Sequence, residues 1–472
     1  MRPSRGVAAG LCAFVALVWV NQGIGGVGWE RFRDRVEAGE ASVLERAWYP
    51  LSFLYRRSLD EALYRATAGA VLGLPYDAAV LDRGKSSDSF AVALPPADGH
   101  FHAPYTEVPF EYPPPALAVI LPLRLAAPNE RAFGYGFGAI MGALLLVSLA
   151  LADRLAAASG HERTPERASR DRALLATLLL LAHGGLAVQR LDALVAVLLA
   201  SAAWAAHARR PAWLGVFLGL ATATKLVPAL LVPVVIAADP RVFRHVRVTA
   251  AAGLGALSTL VLGLSPMLAG GGLAQVLRYH GERGLHVEST LGIAYGAFMA
   301  LTGHHQEATR SFGSMNFHGP LAQGLAGLAT PSMLAVVAFV TWRTWRASQA
   351  SGDTRRTERL VYALLAACTG IWLTAKVFSP QYMTWAVPLV VALAGPRRRA
   401  AQALFFAALL VSQIYLRGYY DYVYQQHPLG ILTMLVRQGA LVALFVTCVR
   451  ALDATAEALR AAAQERAGRA AP

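Results

Sequence analysis

Ala139-Ile140-Met141-Gly142-Ala143-Leu144-Leu145-Leu146-Val147-Ser148-Leu149-Ala150-Leu151-Ala152 holds one hydroxyl and no charge. Val7–Val27, Ala251–Leu264 and Leu441–Val449 read the same way. Such runs are too apolar and too frequent for one soluble core. A soluble domain carries about 25% charged residues, whereas this chain of 472 residues is 15% charged and 56% hydrophobic, with a mean hydropathy of +0.43. The composition implies an all-α, polytopic helical membrane protein. Val7–Val27 is long for a signal peptide and lacks a clear Ala-x-Ala site after it, so it reads as the first span.

Charge sets the topology. The formal net charge of +14 would suggest nucleic acid in a soluble protein, but the arginines here sit in short connections between apolar runs. They include Arg154, Arg163, Arg167, Arg170 and Arg172, then Arg209-Arg210, Arg343 to Arg359, and Arg397-Arg398-Arg399. The positive-inside rule places these connections and both termini in the cytoplasm. The loop from Trp29 to Glu111 carries 13 acids against nine bases and belongs outside. With it go His183–Asp192, Gly270–Thr290, Gly303–Pro320, Lys376–Gln381 and Arg417–Pro428. Arg31–Trp48 and Ser58–Leu72 are expected to be amphipathic surface helices. The expected organisation is a first span over 1–28, an outer catalytic loop over 29–111, a multi-span membrane domain over 112–450 and a cytoplasmic tail over 451–472, with 11 to 13 spans in all.

Three stretches resist simple spans. Pro211–Asp239 has cytoplasmic signals at both ends, so it goes out and returns, with Lys225-Leu226-Val227-Pro228 at the turn. Leu291–Leu301 is short enough to be re-entrant. Pro113-Pro114-Pro115 opens a half-helix over Tyr112–Ala127. Irregular backbone at such depth is tolerated only where it lines a protein cavity.

No Walker loop, dinucleotide glycine motif, His-Glu-x-x-His or Asp-x-Asp sugar-nucleotide motif is present. The histidine spacing matches no metal pattern, and neither a metal nor a cofactor is expected. What remains is polar clustering on the outer side. Asp60, Glu61 and Tyr64 open one loop and Glu111 and Tyr112 close it. Arg190 and Asp192, Lys225, Arg283 and Glu288, and Lys376, Gln381 and Tyr382 fill four more connections. Each has a plainer explanation: a solvated acid at a helix start, a snorkelling lysine, a structural Arg–Asp pair. Their convergence on one membrane face favours a shared site. Lysine and arginine there can clamp a lipid phosphate, and a carboxylate can deprotonate an acceptor hydroxyl.

The ordered pieces Asp60-x-x-x-Tyr64, Phe110-Glu111-Tyr112-Pro113-Pro114, Arg190-Leu191-Asp192, Ala223-Thr224-Lys225-Leu226-Val227-Pro228, Tyr279-His280…Arg283-Gly284-Leu285…Val287-Glu288-Ser289 and Lys376-Val377-Phe378-Ser379-Pro380-Gln381-Tyr382 resemble those of glycosyltransferase family 87. The resemblance runs from Asp60 to Pro388. It implies a bundle of GT-C type and a donor such as polyprenyl-phosphate-mannose. It also implies a catalytic acid in the first outer loop, which maps onto Asp60. Members place that acid soon after the first span; here Trp29–Arg57 intervenes, so Asp60, Glu61 and Asp34 stay open as the base.

The expected protein is a mannosyltransferase-like enzyme of a bacterial plasma membrane, with its active site facing outward. Its partners would be a polyprenyl-phosphate-sugar donor, a glycolipid or glycan acceptor, and the bilayer. Asp60 would be catalytic. Tyr64, Glu111, Tyr112, Arg190, Asp192, Lys225, Arg283, Glu288, Lys376, Gln381 and Tyr382 would bind substrate. The alternative is a transporter or lipid flippase, which the broken helix at Pro211–Asp239 allows and the lack of an internal repeat disfavours.

Overall fold

The computed structural model describes residues 39, 59–78, 80, 95–108, 110–159, 164–239, 245–351, 355–416 and 420–469. The expected first span, the Arg31–Trp48 helix and Asp34 lie outside the described residues. The helices are α1 (Leu59–Val71), α2 (Leu117–Ala126), α3 (Glu130–Ala158), α4 (Pro165–His183), α5 (Asp192–His207), α6 (Pro211–Thr224), α7 (Val232–Ala238) and α8 (Val246–Ala269). They continue with α9 (Gly272–Glu282), α10 (Thr290–Leu301), α11 (Pro320–Ser351), α12 (Arg356–Thr374), α13 (Val387–Val391), α14 (Arg398–Ile414), α15 (Tyr420–Tyr424) and α16 (Pro428–Arg469). The fold is all-α. A small antiparallel sheet, ordered β1-β3-β2, joins β1 (Leu285–His286), β2 (Thr309–Ser311) and β3 (Ser314–Phe317).

Four of these helices are long and apolar enough to cross a membrane: α3, α8, α11 over Pro320–Ala350 and α16 over Pro428–Asp453. At about 1.5 Å per residue each exceeds the roughly 30 Å hydrocarbon core. Among the described residues the other apolar runs are shorter helices or begin in charged turns. The expected return of Pro211–Asp239 is present. α6 ends at Thr224, Lys225 is extended, and a 3₁₀ turn over Val227–Leu231 leads into α7. Pro228 and Pro233 lack the backbone N–H that one continuous helix would need, and each sits in the first turn of its own element. Likewise Pro114 opens a 3₁₀ turn ahead of α2.

Hydrogen bonds show which helix ends lie together. Arg356, at the start of α12, donates to the carbonyl of Ala206 near the end of α5 and pairs with Asp239 after α7 at 2.9 Å. Arg359 donates to Ala238 O at 2.9 Å, and His207 Nδ1 meets Thr357 Oγ1 at 2.7 Å. The last carbonyls of a helix have no partner within it, and cations suit that negative end. Arg356 and Arg359 thus collect the ends of α5 and α7 beside the start of α12. The opposite ends, at Asp192, Lys225 and Lys376, fall together at the other pole. α12 is the central helix, buried from Arg356 to Trp372.

α8 is the reverse: only Met267 is buried, and Leu254, Leu257, Val261 and Leu262 are exposed. Its attachment is to α6, where glycines bring the backbones into contact. A Cβ added at Gly215 would lie 1.9 Å from the Ala252 carbonyl oxygen, while one at Gly253 would meet nothing within 4 Å. Overpacking costs about 1–3 kcal/mol, and here the obstacle is backbone. Gly215→Ala is therefore expected to lower the melting temperature of the detergent-solubilised protein and Gly253→Ala to leave it unchanged. Equal melting temperatures would refute the close α6–α8 contact.

Candidate active site

The pole that gathers Asp192, Lys225 and Lys376 is hollow. A cavity of about 440 Å³ opens there, within the roughly 300–1,000 Å³ usual for ligand sites. Asp60 of α1, Glu111 and Tyr112, Arg190, Lys225, Arg283, Glu288, Gln381 and Tyr382 all line it. Nine of the twelve residues singled out from sequence thus share one wall system, across five separate connections. Tyr64, Asp192 and Lys376 stand behind it. Tyr64 is core, wedged between Tyr112 and Phe137 at 5.7 and 5.4 Å between ring centroids.

Asp60 and Arg190 form an ion pair on one wall. Asp60 lies in the first turn of α1, where the helix dipole favours a carboxylate, and Arg190 lies two residues before the start of α5. Opposite charges so close orient each other's side chains. Glu61, the rival for the base, points instead toward Gly134 of α3 and does not line the cavity.

Lys225 is held from several sides. Its Nζ donates to Asp192 Oδ1 at 2.8 Å, and Trp385 Nε1 donates to the same oxygen at 2.6 Å. The ammonium also lies over the rings of Tyr382, Trp385 and Tyr112 at 4.2, 5.3 and 5.8 Å. A half-buried lysine needs such compensation, and an aromatic cage supplies it without blocking every N–H. Asp192, in the first turn of α5, is the buried member that fixes the lysine's position.

The third wall is α9 with the β2–β3 hairpin. Phe312 and Gly313 both have positive φ, 51° and 70°, the backbone of a tight hairpin turn that needs glycine or strain. Tyr279 OH donates to Phe312 O at 2.7 Å and latches the turn to α9. Arg283 Nε donates to Ser314 Oγ at 3.1 Å. Lys376 lies beside this wall and donates to Gly281 O at 2.8 Å. His280 lines the cavity and stays open to solvent. Reduced hydration of the ring, then Arg283, Lys225 and Lys376, push its imidazole down. Burial and Arg283 also push the Lys376 ammonium down. Of the three cations expected to share one cavity, Lys225 and Arg283 line it and Lys376 does not.

Among the described residues the lining carries four permanent cations, Arg190, Lys225, Arg283 and Arg310, against the carboxylates Asp60, Glu111 and Glu288. The site suits an anion beside a carboxylate. Reading the sequence alone missed Arg310, His280, Tyr420 and the strands that carry the hairpin. The strands are three and four residues long, too short for periodicity to mark. His280 stood inside a quoted motif beside Tyr279, which was its only signal.

The Asp192–Lys225 pair can be tested alone. Breaking a buried ion pair by removing one partner costs about 3–5 kcal/mol. Asp192→Asn and Lys225→Met should each destabilise the protein, while the double variant should lose clearly less than their sum in denaturant unfolding. Strict additivity would show the two groups to be independent.

The sequence profile of glycosyltransferase family 87 matches residues 110–380. No curated protein matches the chain. The matched stretch holds six of the nine lining residues predicted from sequence, with Asp60 before it and Gln381 and Tyr382 just beyond its end. With more than half the chain covered, this polytopic membrane protein belongs to glycosyltransferase family 87 and is a glycosyltransferase.

Proposed function

We propose that the enzyme transfers a sugar of the mannose class from a polyprenyl-phosphate donor to a glycolipid or glycan at the outer face of a bacterial plasma membrane. The observation that carries this reading is the pairing of Asp60 with Arg190 across one cavity from Lys225 and Arg283. No nucleotide-binding motif accompanies them, so the anionic leaving group is a lipid phosphate rather than a nucleotide. The connections assigned to the outer side by the arginine pattern are those that surround the cavity.

Lys225 and Arg283 hold the donor phosphate, Arg283 by its planar fork and Lys225 as a caged point charge. Lys376 adds positive potential behind them, and His280, whose imidazole is pushed down, adds hydrogen-bonding capacity at the wall. Asp60 accepts the proton of the acceptor hydroxyl. The acceptor oxygen then attacks the anomeric carbon, and the bond to phosphate breaks with its electron pair leaving on the polyprenyl phosphate. The cations stabilise that charge as it develops. Glu111, Gln381 and Tyr382 orient sugar or acceptor. One base is enough for this single inverting displacement, because phosphate leaves without strong protonation.

The test is transfer in proteoliposomes from radiolabelled polyprenyl-phosphate-mannose, with nucleotide-mannose as the comparison donor and membrane lipid extract as acceptor. The lipid-linked donor should be used and the nucleotide sugar should not; the opposite result defeats the donor assignment. Asp60→Asn should cost about 10²–10⁴-fold in rate at normal expression and donor binding, with Glu61→Gln close to wild type. Normal transfer by Asp60→Asn would remove Asp60 from the base role.

A further inference from the structure

α16 places a charge where a membrane-length helix should have none. Arg437 is fully buried and is the single charged residue of the stretch 428–449. Its Nη1 lies 3.5 Å from Glu288 Oε2 and donates to Tyr415 OH at 2.8 Å; its Nη2 donates to the Glu288 carbonyl. Tyr415 OH donates to the same carboxylate. Gln438 Nε2 donates to the Glu288 carbonyl at 3.4 Å. The guanidinium also covers the rings of Phe378 and Tyr415, at 4.8 and 5.3 Å. Side chain and main chain of Glu288 are thus gripped together from α16.

A buried ion pair is poor evidence for stability, since apolar residues of the same volume often do as well. An ionisable group within a span instead points to function through its partner. Glu288 reaches the cavity wall with His286 and Tyr420, while Arg437 and Tyr415 stand behind. We propose that Arg437 is a positioning residue: it keeps Glu288 ionised and aimed into the cavity, where the carboxylate accepts hydrogen bonds from sugar hydroxyls. This rests on the reading of the cavity as the transfer site. Five groups face the carboxylate: Arg437 of α16, Tyr415 after α14, Tyr420 of α15, His286 of β1 at 3.8 Å, and Arg190 more remotely. Burial pushes the Glu288 carboxyl up, and Arg437 is the largest influence opposing it. A carboxyl whose folded value is raised loses its charge as pH falls through that value. Without Arg437 the loss moves to higher pH.

The experiment compares Arg437→Lys, Arg437→Met, Glu288→Gln and the double variant Arg437→Met/Glu288→Gln in the proteoliposome assay, from mildly acid to alkaline pH, with thermal unfolding alongside. Arg437→Met should move the acid limb of kcat/KM to higher pH, with about tenfold lower activity for each unit by which the carboxyl value passes the assay pH. Arg437→Lys should restore most of the profile. The double variant should regain thermal stability yet transfer as poorly as Glu288→Gln, keeping only the acid limb that Asp60 sets. Activity regained together with stability in the double variant would make the pair structural and overturn the proposal, as would an unshifted limb in Arg437→Met. If wild type transfers from no lipid-linked sugar, the donor reading has failed. The positioning role is then judged from infrared difference spectra: a protonated-carboxyl band at neutral pH should appear in Arg437→Met and be missing from wild type and the double variant. Its absence from Arg437→Met would refute the role independently of the donor.

Discussion

The salt bridge from Asp192 to Lys225 ties the first turn of α5 to the break between α6 and α7. Everything at the cavity pole is referred to it. Lys225 has extended backbone because helix α6 has ended, and its side chain is sheltered by Tyr112 from one connection and Tyr382 and Trp385 from another. One ammonium therefore joins four connections that sequence separation keeps far apart. Pairing and ring contact are what make a lysine tolerable there.

The opposite pole works on the same physics with a different result. Arg356 and Arg359 spend their hydrogen bonds on the ends of α5 and α7 and on Asp239. Those charges are enclosed and fix the helix ends. At the cavity pole, the charges of Asp60, Arg190, Lys225 and Arg283 are paired or supported yet open onto an empty volume. Burial alone does not separate a structural charge from a functional one. The difference lies in whether a compensated charge still faces space that a ligand can fill.

Glycine and proline decide how these poles are held apart. Gly215 and Gly219 let α6 lie against α8 at backbone contact, and Thr259 Oγ1 reaches the Val216 carbonyl across that contact. Pro228, Pro233, Pro380 and Pro388 interrupt apolar runs that would otherwise continue as helix. Each interruption leaves polar backbone that only a protein-lined cavity can accommodate, so the breaks and the site occur together.

Much of this was legible in the chain. Apolar runs without charge require helices in a bilayer, and arginine-rich connections opposite acidic ones divide the connections into two sets. Proline and lysine at Lys225–Pro228 mark a broken helix. Nine lining residues could be named because ionisable groups at span edges are costly enough to stand out. Other features had no local signal. The pairing of Asp60 with Arg190 rather than with bulk water, the retreat of Tyr64, Asp192 and Lys376 behind the wall, and the arrival of Arg310 on a short hairpin depend on contacts between segments far apart in sequence. Arg437 is the intermediate case. Its isolation in an apolar helix is visible in the sequence, but its partner, 149 residues away, is chosen by packing alone. Sequence determines which groups are too polar to be left in lipid; tertiary structure decides which opposite charge each one meets, and whether the pair closes on itself or onto a cavity.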